Sequence, residues 1–151
     1  MTTQLSPSFT LEELTYSTTA KRQGLDNTPN DQQVAELKRL CQTLLEPTRA
    51  LLGVPFHVDS GFRSPAVNNA VGSTASHSAH LDGRAADVIP MKADLRACFD
   101  KVRQSNLPFD QIIIECGAWL HMAIAPQGSE PRRQSLIATG SPGHWSYQPA
   151  P

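Results

Sequence analysis

The chain has 151 residues, 39% of them hydrophobic and 18% charged, with 12 prolines and 9 glycines. Thirteen Lys+Arg against 14 Asp+Glu leave a net charge of −1, which excludes an acidic disordered chain and a basic nucleic-acid footprint spread over the whole protein. The length suits one domain with its own core. Cys41, Cys98 and Cys116 are odd in number and form no CxxC pair, so free thiols made in a reducing compartment are expected in place of a disulfide framework.

The opening MTTQLSPSFTLEEL lacks the basic and apolar regions of an export signal. The longest apolar stretch, residues 112–125, is broken by Glu115 and His121 and is too short to span a bilayer. A soluble protein with no membrane insertion is therefore expected.

In SFTLEELT, Thr10 and Glu13 form a capping box, with Phe9 and Leu14 at the staple positions, and predict a short helix from Leu11. Gly24 and Asn27-Thr28-Pro29-Asn30 break the chain. From 31 to 52, Val34, Leu37, Leu40, Cys41, Leu44, Leu45, Leu51 and Leu52 recur at helical spacing. Pro47 is expected to kink that helix or split off its last turn, and Gly53 to end it. Residues 56–60 alternate as a strand, and Ser64-Pro65 reads as an N-cap with proline at the first helical position. Residues 72–83 read as a loop, 85–89 as a strand and 93–104 as an amphipathic helix. Two further strands, 110–115 and 119–124, are joined by Cys116-Gly117-Ala118. Residues 134–138 read as a last strand, and TGSPGHWSYQPAP as a loose tail. The domain is thus expected over 1–139 with a flexible tail over 140–151. Neighbouring strands with short turns predict an α+β fold, its helices packed on a central antiparallel sheet.

His80, Asp87 and His121 stand out chemically. Imidazole nitrogen and carboxylate oxygen are ordinary zinc donors, and catalytic zinc sites use three protein ligands. His80 leaves a loop just before the strand that carries Asp87. Alternation puts Trp119, His121 and Ala123 on one strand face, and Gln111, Ile113 and Glu115 on one face of the neighbouring strand. If those faces coincide, Glu115 approaches the metal donors, where a carboxylate at the end of three isoleucines finds a task as general base.

Three strings, SGFRSPAVNNAVG (60–72), SAHLDGRAAD (78–87) and WLH (119–121), resemble the M15 group of zinc D-alanyl-D-alanine peptidases, and most of all its small phage or prophage members. Ser78, His80, Gly83, Ala85 and Asp87 meet the pattern S-x-H-x-x-G-x-A-x-D. Ser60 to Ser64 meet S-G-[FY]-R-S, and Trp119 with His121 meets Trp-x-His. The resemblance spans residues 9–138. It implies a hedgehog/DD-peptidase-like fold and Zn2+ held by His80, Asp87 and His121. It implies Arg63 as the group that binds a substrate carboxylate or polarises the scissile carbonyl, and Ser78 as a second substrate contact. The implied substrate is the peptide stem or cross-link of peptidoglycan, cut as a carboxypeptidase or endopeptidase of D,D or L,D type. Many relatives place the catalytic carboxylate three residues before the last histidine. Here that position is Ala118, and Glu115 is the nearest preceding carboxylate; Trp119 stands where other relatives carry a second histidine. The resemblance also implies a phage lysis enzyme made in the bacterial cytoplasm and released by a holin-type pore, or a virion component, acting as a monomer without nucleic acid. The competing reading is a non-catalytic, zinc-stabilised module that binds wall peptide or builds a virion.

Other polar residues carry plainer expectations. Asp59 is expected to support the fold or orient a ligand histidine. His77 reads as a substrate-side or solvent histidine, His57 as a strand surface residue and His144 as an unrelated tail residue. Asp82 reads as a turn residue before Gly83, Cys116 as a buried small residue and Trp119 as a cleft or core wall.

Overall fold

The computed structural model describes residues 2–72, 78–141 and 144–151. A two-stranded antiparallel ribbon, β1 (Gln4–Ser6) and β2 (Phe9–Thr10), opens the chain. It leads into α1 (Leu11–Thr15), whose start is the expected capping box: Thr10 Oγ1 accepts from the Glu13 amide while Glu13 accepts from the Thr10 amide. Phe9 and Leu14 are both buried beneath it. α2 (Thr18–Gln23) follows, closed by Gly24 at φ 66°.

The long apolar helix exists in three pieces. α3 (Asp31–Leu40) passes into a π-helical turn (Cys41–Leu45) and then α4 (Glu46–Leu52). Pro47 lies in the first turn of α4. The wider turn before it absorbs the missing amide, so the rod continues instead of breaking. Leu37, Leu40, Cys41, Leu44 and Leu45 are completely buried along one stripe.

β3 (Phe56–Ser60), α5 (Pro65–Ala70), a 3-10 turn (Ala79–Asp82), β4 (Ala85–Pro90), α6 (Leu95–Arg103), β5 (Gln111–Glu115) and β6 (Trp119–Ala123) follow the sequence reading closely; the 3-10 turn is structure within a stretch read as loop. Beyond them, β7 (Gln134–Ser141) outruns its expected end and β8 (His144–Pro149) pairs antiparallel with it from Leu136↔Pro149 to Ser141↔His144. Within the stretch 140–151 expected as a flexible tail, Gly140 and Ser141 end β7 and residues 144–149 form the edge strand β8. Its Gly, Pro and Ser content hid it, because pairing on one side only does not demand a continuous apolar pattern.

The six strands run in the order β3-β4-β6-β5-β7-β8. The sheet is not wholly antiparallel as expected: β7 lies parallel to β5, Gln111↔Gln134 to Glu115↔Ala138. The hairpin partner β6 already occupies one flank of β5, so the chain leaving β6 must cross below β5 to reach its free flank, and it then runs in the direction of β5.

Alternation divides the sheet into two chemistries. Ala86 and Val88 of β4, Ile112 and Ile114 of β5, and Leu120 and Met122 of β6 join the helical stripe in one core. Asp87, Ile113, Glu115, Trp119 and His121 occupy the opposite face and line an open cleft. A one-residue slip in any of these strands would exchange the faces.

One short polar side chain ties the helical layer to the strand exits. Asn27 donates to the carbonyls of Thr15 and Phe62 at 2.8 and 3.0 Å and accepts from the Ser64 amide at 2.7 Å. Asn27→Ala removes all three bonds, and the expected loss is about 3 kcal/mol at roughly 1 kcal/mol each. Urea melts of the metal-free protein check this, and an unmoved midpoint would contradict the assignment.

Candidate metal centre and cleft

The donor triad is built by two strands and a tethered turn. Asp87 and His121 face each other directly across the β4/β6 ladder. The third member, His80, sits in the 3-10 turn, which is capped by Ser78: the His80 N–H donates to Ser78 Oγ at 3.3 Å. Gly83 ends the turn at φ 78°, in a place where a Cβ would come within 2.6 Å of the Gln33 carbonyl. Only glycine meets both demands.

Gly61 is the other fixed point. Its own Cβ would meet the Leu14 carbonyl at 2.3 Å, and the adjacent Phe62 amide donates to that same carbonyl at 2.7 Å. The carbonyl of Gly61 lies 2.7 Å from His80 Nδ1. A carbonyl only accepts, so Nδ1 carries the proton and the lone pair of neutral His80 is on Nε2. Here a backbone carbonyl, and not Asp59, orients His80. Asp59 is exposed at an irregularity in the β3/β4 register and lines the cleft.

His80 Nε2, Asp87 Oδ1 and His121 Nδ1 close a triangle with sides of 3.2, 3.1 and 3.3 Å. The three residues are 2, 6 and 8% exposed. Only the His121 proton is left to serve two acceptors, and His80 Nε2 and Asp87 Oδ1 face each other lone pair to lone pair. Burial alone would raise the Asp87 pKa, but the two histidines beside it, His80 first, hold it well below the usual carboxylate range. Burial lowers His80; at His121 burial also pulls downward, but the hydrogen bond to Asp87 and the charges of Asp87 and Glu115 together raise the pKa. A cation at the centre, taking the place of the proton on His121 Nδ1, satisfies all three lone pairs at once. Tetrahedral zinc with bonds of about 2.0–2.1 Å separates its donors by roughly 3.3 Å, so the triangle has the size of one face of that tetrahedron. The residues present fit a zinc ion.

Around the triad lies a cleft of about 870 Å³. Among the sequence candidates, Arg63, Ser78 and Glu115 all line it with the donors. Glu115 is half-buried and accepts from the Trp119 indole N–H at 2.7 Å. Burial and then the charge of Asp87 raise its pKa. The turn after it is tightly held: Cys116 and Gly117 have φ of 53° and 63°, and Ala118 N–H returns to the Glu115 carbonyl at 3.0 Å. Cys116 is exposed, contrary to the buried residue expected, because its left-handed backbone turns it out of the sheet; its thiol reaches the Gly140 carbonyl at 3.1 Å.

Arg63 follows β3. Its backbone N–H donates to the His80 carbonyl at 3.1 Å, while its buried Nε has no hydrogen-bond partner among the described residues. Burial lowers its pKa against the pull of Asp87 and Glu115. His57 is exposed as expected; His144 is exposed too, but it opens β8 and not a loose tail. Asp82 pairs with Arg84 at 3.0 Å. His77 lies outside the described residues. The sequence reading missed Asn27 and the Gly61 carbonyl; the invitation to close approach in a strand-end glycine was the one signal present.

A family model described as Peptidase M15 matches residues 7–123, which take in all three donors, Arg63, Ser78 and Glu115. No curated protein matches the chain.

Zinc added to the metal-free protein is expected to bind at one ion per chain and raise the melting temperature, since a ligand of the folded state stabilises it by mass action. Asp87→Ala should abolish the rise, leaving two imidazoles without the anion that gathers the charge. Calorimetric titration with parallel melts checks both; an undiminished rise in Asp87→Ala would place the ion elsewhere.

Proposed function

The chain belongs to the Peptidase M15 family, and on that premise we propose that it is a zinc metallopeptidase hydrolysing bonds in the peptide stem or cross-link of peptidoglycan. His80, Asp87 and His121 are the residues that would hold the metal. Zinc bound there supplies Lewis acidity, polarising a carbonyl and making a nearby water more acidic. The observation that carries the reading is the convergence of three buried lone-pair donors beside a half-buried carboxylate in one open cleft.

The protein's own groups divide the remaining work. One oxygen of Glu115 is occupied by the Trp119 indole, which leaves the other to take a proton from the attacking water and return it to the leaving amine. The raised pKa makes the Glu115 carboxylate a stronger base than an exposed glutamate. Arg63, unpaired at Nε and facing the cleft, binds a substrate carboxylate or the scissile carbonyl with its rigid fork. Ser78 holds the His80 turn in place and offers its hydroxyl to the substrate. A non-catalytic wall-binding module gives no task to a desolvated base beside an open donor triad. The resemblance of residues 60–72 and 78–87 to small phage-type members supports a role in host lysis.

Glu115→Gln is expected to cut release of new amines from purified sacculi at least about 100-fold while zinc stoichiometry stays at one. Loss of zinc in that variant would contradict its role as base, and an inactive zinc-loaded wild type would contradict the enzyme. The pH profile of kcat/KM carries a further expectation. Activity falls as pH falls through the Glu115 titration, because the protonated acid cannot accept, and that limb lies at higher pH than an exposed glutamate would give. The Trp119 bond favours the charged form, so Trp119→Phe should move the limb to higher pH. A shift to lower pH would contradict the arrangement.

A further inference from the structure

The family match ends at residue 123, yet the strands beyond it build one side of the cleft. Leu136, Trp145 and Tyr147 line the same space as the donor triad. The sheet register explains how. Trp119 pairs with Glu115, Glu115 with Ala138, and Ala138 with Tyr147, so the four occupy one row across β6, β5, β7 and β8. Paired residues share a face, and Tyr147 is therefore on the face that carries Glu115 and His121.

The residues between are small. Ala138 separates Tyr147 from Glu115, and Gly140 stands opposite Trp145. Two strand spacings, roughly 10 Å, part the Tyr147 and Glu115 backbones, and only a methyl group rises between them. Gly140 has φ 114°, and a Cβ there would come within 2.2 Å of the His144 carbonyl, so glycine is required where the β7/β8 pair closes. Both aromatic rings accordingly have room on the cleft side.

Tyr147 does nothing evident for the fold. It is 47% exposed, one of three large hydrophobic residues so exposed among those described, and its hydroxyl makes no hydrogen bond to a described residue. Burial, then the charges of Glu115 and Asp87, raise its pKa, so the phenol stays protonated and available as a donor.

We propose that Tyr147, with Trp145 beside it, is a substrate-binding residue of this peptidase, its hydroxyl donating to a carbonyl oxygen of the peptide chain held along the β8 side of the cleft. Arg63 serves the β3 side, so the bound chain is gripped from both edges of the sheet. This rests on the peptidoglycan-peptide reading above.

The test uses the full-length zinc-loaded protein and one defined disaccharide-pentapeptide, with its cross-linked dimer as second substrate. Tyr147→Phe keeps the ring and removes only the hydroxyl. It should raise KM about tenfold, the equivalent of one lost hydrogen bond, with kcat within about twofold and melting temperature unchanged. Calorimetric binding of the same ligand to Glu115→Gln and to Glu115→Gln/Tyr147→Phe should show the same factor, independently of turnover. Unchanged KM and affinity in the Phe variant would overturn the proposal while leaving the peptidase reading intact. A wild type that neither binds nor cuts either ligand would overturn both.

Discussion

The site depends on a shortage of protons. Three buried acceptor atoms, from His80, Asp87 and His121, stand 3.1–3.3 Å apart, and the Gly61 carbonyl has claimed the proton that His80 would otherwise bring to the group. An arrangement of this kind is costly inside a protein unless positive charge fills it. The rest of the molecule reads as the means of holding those atoms together. A ladder pair fixes Asp87 against His121, and a 3-10 turn between two constrained glycines fixes His80 over them.

The same sheet supplies the stability that this strain requires. Every second residue of β4, β5 and β6 packs into the helical core, and the intervening residues form the cleft. Site and core are therefore two faces of one hydrogen-bonded ladder, and the polar face inherits the rigidity of the apolar one. Cleft-lining groups come from the whole width of this surface: Arg63 after one edge strand, Glu115 at the centre, and Trp145 and Tyr147 on the other edge.

Much of this was legible in the residues. Thr10 with Glu13, Ser64 with Pro65, and the helical stripe from Leu37 to Leu45 act through local chemistry, and the structure forms them where that chemistry dictates. The grouping of His80, Asp87 and His121 was legible through the S-x-H-x-x-G-x-A-x-D and Trp-x-His strings; strand alternation matched the faces of His121 and Glu115 but does not govern His80, which lies in a turn. What escaped the sequence depends on partners distant in the chain. The parallel placement of β7 follows from which flank of β5 was free. β8 is mostly exposed and lies in a stretch rich in Pro, Ser and Gly, so its pattern resembles a tail. Cys116 is apolar and follows a buried strand, and only the left-handed turn explains its exposure. The Gly61 carbonyl, which sets the His80 tautomer, is backbone and leaves no side-chain signature.

The central claim is that the lone pairs of His80 Nε2, Asp87 Oδ1 and His121 Nδ1 share one zinc ion. Anomalous diffraction at the zinc edge, on crystals of the stoichiometrically loaded protein, tests it most directly. The account predicts a single strong peak within bonding distance of all three atoms. A peak bound by any other residues, or one reached through His121 Nε2, would contradict it.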